Sequence, residues 1–179
     1  MSIAQHFLTE FEHEGKTTRR VLERVPDGKF DWAPHARSMT LGKLAGHVVE
    51  IPGMGVIVLS ETERDVAAPD AGASRPAPPT DAAQLVKRWD ENFARLRTLL
   101  KEAGDDAMQQ MFVLRAGENV MFRLPRAQAV RTVVMNHLIH HRGQLSVYLR
   151  MLDVPVPSIY GPSADEAAAP AGGAAAAAK

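Results

Sequence analysis

The chain has 179 residues, 45% of them hydrophobic, and its 21 Lys plus Arg balance 21 Asp plus Glu for a formal net charge of zero. That length can bury about 70% of its unfolded surface, enough for one self-supporting core, and neutrality removes the basic footprint that nucleic-acid binding needs. Cysteine is absent, which excludes a disulfide framework, a zinc ribbon, an iron–sulfur site and a cysteine nucleophile.

The first predicted element is a helix from Ser2 to Val25, with Ile3, Phe7, Phe11, Val21, Leu22 and Val25 on a broken 3.6-residue stripe. Its Glu10, Glu12 and Glu14 fall where a signal peptide requires an apolar core, so no secretion signal is read. Pro26-Asp27-Gly28 ends it. A loop containing Trp32, Pro34 and His35 leads to Thr40, the predicted N-cap of a second helix over 41–62. Pro52 predicts a kink inside that helix. Residues 51–59 form the longest apolar stretch, far short of the roughly 20 residues that span a bilayer. The reading is therefore a cytoplasmic protein with no membrane partner.

Residues 66–80, rich in proline and poor in large apolar groups, predict a mobile surface loop. Thr80 or Asp81 caps a third helix to Ala103, and Gly104 closes it. Met111–Leu114 and Val120–Leu124 flank Ala116-Gly117-Glu118-Asn119, the pattern of a short β-hairpin. Pro125 opens a fourth helix over 126–152. The alanine-rich residues 167–179 predict a disordered tail, leaving one domain over 1–166. Four helices with one small hairpin predict an all-α helical bundle, in which ligand and metal sites lie between facing helices.

Three of the seven histidines fall within five residues of the fourth helix. At 100° per residue, His137 and His141 lie only about 40° apart, on a stripe shared with Val130, Gln144 and Tyr148. His140 lies to one side. Imidazoles at i and i+4 can share one metal ion, and His47, mid-helix in GKLAGHVVE, is the natural third ligand. Three neutral imidazoles make an open site with room for water or substrate. The competing reading is a set of core histidines engaged in hydrogen bonds, the commoner fate of a buried imidazole. Gln144 and Tyr148 either line the pocket and orient a ligand or satisfy buried polar atoms. His6, His13 and His35 read as surface residues, although His6, Glu10 and His13 form a polar stripe that could face the pocket rim. Glu50 is either a partner to the site or a solvated carboxylate. Gly143 implies close helix packing, and Arg142 implies a salt bridge or a dimer contact.

NHLIHHRGQLSVYLR resembles the last-helix motif of the DinB/YfiT-like superfamily, and LGKLAGHVVEIP resembles the segment that carries its single earlier histidine. FDWAPHARSMTLGKLAGH and the ending VPSIYGPSADE are similar to the same family, so the resemblance covers about residues 3–166. It implies a four-helix bundle with up-down-down-up topology, a homodimer, and a zinc or nickel ion on His47, His137 and His141. It further implies a small-molecule substrate and a thiol-dependent transferase using a low-molecular-weight thiol such as mycothiol or bacillithiol. Hydrolysis is the related possibility. The alternative is a non-catalytic stress-response bundle that binds metal or ligand only.

Overall fold

In the computed structural model the described residues are 2–69 and 77–167. The Ser2 side chain accepts the Gln5 N–H and starts α1 (Ile3–Leu22). A 3₁₀ turn at Asp27–Lys29 follows, and the chain then folds back so that its own carbonyls cap α2 (Leu41–Ser60). Trp32 O accepts the Leu41 N–H at 2.8 Å, Phe30 O accepts that of Gly42 at 2.9 Å, and Thr40 Oγ1 accepts that of Lys43 at 3.3 Å. Three donors that a helix start would leave orphaned are thus satisfied. A Cβ on Gly42 would lie 2.6 Å from the Phe30 ring, so the close return of this loop requires glycine.

Asp81 caps α3 (Ala82–Glu102) by accepting the Gln84 N–H at 2.8 Å. Gly104 does not close that helix in the left-handed conformation: its φ is −90°, and it instead precedes a short α4 (Asp105–Gln109). The α1–α3 seam is aromatic, with Phe11 stacked on Phe93 at 4.6 Å and Trp89 tilted against Phe93 at 5.8 Å. α2 runs through Pro52 rather than ending there. Beside that turn the buried Asn92 amide donates to Val49 O at 2.8 Å, supplying a partner where proline disturbs the helical ladder. α2 is long and apolar enough to span a membrane by composition alone. Its Leu44, Val48, Ile51 and Val58 are buried in the core.

The chain is mostly helical, and the predicted hairpin is part of a three-stranded sheet. β2 (Met111–Ala116) and β3 (Asn119–Pro125) pair antiparallel, and β1 (Glu63–Asp65) adds in parallel to β2. β1 has three residues, too few for an alternating pattern to mark it in the sequence. Gly117 takes φ +59° at the hairpin turn, and Asp65 accepts its N–H at 2.9 Å.

The predicted fourth helix is one rod with an interruption. α5 (Arg126–Val130) passes into a π-helical segment, Arg131–Asn136, and then into α6 (His137–Met151), with helical dihedrals at both joins. A 3.6-residue projection from Val130 to His137 therefore does not hold. α6 ends with Asp153 at φ +56°, with Val154 N–H bonded to Leu149 O and Asp153 N–H to Arg150 O, which is the Schellman arrangement. That turn sends residues 154–163 back along the bundle to a final helical turn, α7 (Ala164–Ala167). The close packing expected at Gly143 is absent: the residue is exposed, and a Cβ there meets nothing within 4 Å. Of the predicted tail over 167–179, Ala167 closes α7 and residues 168–179 lie outside the described residues, as do residues 70–76 of the predicted loop.

Candidate metal centre

His137 stands at the first position of α6, directly after the π-helical segment, and His141 follows one turn later. π-turns within α-helices recur at functional sites. His47 comes from the middle of α2, which packs against this rod. The three rings meet, with centroids 4.8 Å apart for His47–His137 and 4.6 Å for both His47–His141 and His137–His141. One ligand nitrogen from each lies within 4.8 Å of the others. Nε2 of His47 and Nε2 of His137 are 3.0 Å apart. Bonds of about 2.0–2.1 Å to a tetrahedral zinc separate two ligand nitrogens by about 3.4 Å, so this pair is close to the spacing one ion demands.

The outer nitrogens of two rings are held by oxygens that can only accept. His141 Nδ1 donates to Gln144 Oε1 at 2.7 Å, and His137 Nδ1 faces Val133 O of the π segment at 3.4 Å. With hydrogen on Nδ1 against these oxygens, each ring would turn an Nε2 lone pair to the centre, the tautomer a metal ligand needs. His141 is buried, and burial pushes its imidazole below the ordinary value of 6.5, with the Gln144 bond opposing and the neighbouring His137 and His140 adding to the decrease. The neutral form is the one that ligates. The donor set and its spacing fit a divalent ion.

The other singled-out residues fall in several places. His140 is exposed, its ring 4.7 Å from that of His141. Tyr148, two turns beyond His141, donates to Met39 O at 3.3 Å and meets Trp32 edge-on at 5.6 Å. Glu50 turns away to α3, where Arg88 donates to it at 3.2 Å and Asn92 at 3.4 Å. It is a tie between helices. His6, His13 and His35 are exposed, and Glu10 is taken by Arg131 through two 2.6 Å bonds. Two surface grooves of about 590 and 330 Å³ lie along α1 and α3, and no histidine lines either.

The sequence profile of the DinB family matches residues 1–174. The chain belongs to the DinB family. It is 28% identical over 161 residues to the uncharacterized protein YrdA of Bacillus subtilis strain 168, covering 90% of each chain. Two crystal structures have the same fold at a TM-score of 0.65. One is a DinB-like protein of Bacillus cereus ATCC 10987, at 21% identity with 87% of this chain and 97% of that one covered. The other is the DinB-like protein YjoA of Bacillus subtilis, at 17% identity with 88% and 99% covered. At these identities the likeness is one of fold.

In this DinB-family chain two residues not singled out from the sequence as partners, Glu14 and Tyr160, lie behind the histidine helix. Both bind Arg142, which resolves the two roles left open for that residue in favour of a salt bridge: its guanidinium is 2.6 Å from Glu14 Oε2. A signal was present, because Glu14 lies on the core stripe of α1 with Phe7, Phe11 and Thr18, where a carboxylate must find a buried partner. Tyr160 had none, since it meets Glu14 across 146 residues.

Proposed function

We propose that the chain is a divalent-metal-dependent enzyme of the DinB family, holding zinc or nickel on His47, His137 and His141. Its reaction is transfer of a low-molecular-weight thiol to a small electrophile, with hydrolysis of a small substrate as the related chemistry. The observation that carries this reading is the convergence of three imidazoles, two of which have Nδ1 fixed by acceptors. Neutral ligands leave a bound divalent ion its full charge, which favours the deprotonated form of a thiol or a water. The chain has no cysteine, so a reacting sulfur arrives on a small molecule. Gln144 holds the His141 tautomer, and together with Tyr148 it flanks the side where a substrate would be oriented. The up-down-down-up helix order, a cytoplasmic location and a homodimer belong to the same reading. The exposed Val147 and Met151, one turn apart on α6, offer the apolar ridge for that dimer.

The test is elemental analysis of untagged protein beside His137→Ala. The expected outcome is about one equivalent of metal in the parent and none in the variant, followed by metal-dependent turnover in a screen of thiols and electrophiles. Metal without turnover, with a large fall in Tm on chelation, would support a structural ion instead. No metal in either protein would leave the histidines as core hydrogen-bonding groups.

A further inference from the structure

Next to His141, and about 100° around the helix from it, Arg142 points the other way, into α1. It is among the most deeply buried side chains of the molecule, 1% exposed, and its partner Glu14 is 6% exposed. Both of its terminal nitrogens are engaged. They reach Glu14 Oε2 at 2.6 Å, Glu14 O at 3.2 Å, Thr18 Oγ1 at 3.3 Å and the Tyr160 hydroxyl at 2.7 Å. That hydroxyl donates in turn to both Glu14 carboxylate oxygens at 3.0 Å, and the guanidinium carbon sits 5.1 Å from the Tyr160 ring centroid. Tyr160 belongs to the segment that returns from the end of α6. The same segment is fastened by Arg24 to Pro155 O at 3.2 Å, by Arg20 to Glu166, and by Arg150 to Asp165.

A buried ion pair does little for net stability compared with well-packed apolar residues, and its best-attested use is to fix one register. Here the register in question is the rotation of α6 about its own axis. A small turn of that helix would move His137 and His141 off His47, and the apolar packing of α2 against α6 is less directional than an ion pair held by hydrogen bonds. We propose that Arg142 is a positioning residue that couples the C-terminal segment to the three-histidine centre. Glu14 and the Tyr160 hydroxyl lock the guanidinium, and the locked guanidinium sets the rotation of the helix that presents His137 and His141. Coupling of this kind is reciprocal. If docking of Tyr160 strengthens metal binding, a bound metal tightens the docking of residues 154–163. This inference rests on the metal reading above.

The experiment uses the full chain, untagged, at a temperature well below each variant's Tm. Zinc affinity is measured by competition with a chromogenic chelator for the parent, Tyr160→Phe, Glu10→Gln and His137→Ala. Tyr160→Phe removes one hydroxyl and no packing volume. It should lower Tm by only a few degrees, weaken zinc by about fivefold or more, and alter the visible spectrum of the cobalt-loaded protein. In the parent, zinc should slow amide exchange over residues 154–163, and in Tyr160→Phe that slowing should shrink by the same factor. Glu10→Gln weakens the part-exposed α1–Arg131 pair on the same rod and should leave zinc affinity within about twofold. If Tyr160→Phe binds zinc as the parent does while its C-terminal segment exchanges faster, the coupling is overturned. It is equally overturned if Glu10→Gln weakens zinc as much as Tyr160→Phe. Zinc binding in the parent that is lost in His137→Ala keeps the metal reading intact through either result, whereas a parent that takes up no zinc removes both.

Discussion

Between α1 and α3, Phe11 and Phe93 stack at 4.6 Å, Trp89 packs at 5.8 Å, and Gly15 lies so close beneath that a Cβ would sit 2.0 Å from the Phe93 ring. Between α2 and α6, three imidazoles pack at nearly the same distances, 4.6–4.8 Å. The first seam needs no partner beyond shape, because hydrocarbon faces gain by leaving water. In the second, each ring brings two nitrogens that must be satisfied, so Gln144 and Val133 O are recruited around it and a metal is the natural fill. The α1–α3 seam is closed by hydrocarbon, and the α2–α6 seam carries the polar nitrogens that could hold a metal.

The largest break in that contrast is Trp89→Ala, which should cost about 3–5 kcal/mol. Urea unfolding measures the loss, and zinc titration below the transition should show unchanged stoichiometry. A parallel loss of zinc would mean that the two seams are not independent. Acid should separate the seams next. In zinc-free protein the His141 pKa is lowered by burial from 6.5. Below about 6.5 the unfolded chain therefore binds a proton that the folded chain refuses. Stability falls as pH drops through that window, levels off once the folded imidazole also protonates, and does not change above it on this account. His141→Gln should flatten the decrease. A second window belongs to the C-terminal segment. The Arg20 bond, with Ser158 N–H, lowers Glu166 from 4.5 to about 2, so its contribution is lost between about 4.5 and 2. Urea midpoints across pH check both windows. The smallest effect is Gly143→Ala, expected to stabilise by up to about 1 kcal/mol because the site is helical and open. A loss instead would mean that something outside the chain, such as a second copy, packs against it.

Much of this was legible in the order of residues. Thr40 and Asp81 cap helices because a short side-chain oxygen needs only the next turn. The hairpin follows from two apolar runs around Ala116-Gly117-Glu118-Asn119. His137 and His141 share a face because four residues nearly complete one helical turn. His47 follows as the third candidate from its place mid-helix in GKLAGHVVE, and the family resemblance implies the same three residues. Glu50, by contrast, carries no local mark that it turns to Arg88 and Asn92.

The sequence by itself determined what is settled within a turn or two: caps, apolar stripes, and which imidazoles share a helix face. Those depend on dihedral preference and period, and both are written in neighbouring residues. Only the tertiary structure decided the rest. It put His47 Nε2 3.0 Å from His137 across 90 residues, joined Arg142 to Glu14 and Tyr160, and added β1 in parallel to β2. It also placed the π-helical turn ahead of His137, where backbone dihedrals remain helical and only the hydrogen-bond partner changes. Such contacts are selected by the packing of the whole core, since closing a long loop is unfavourable until many distant groups meet at once.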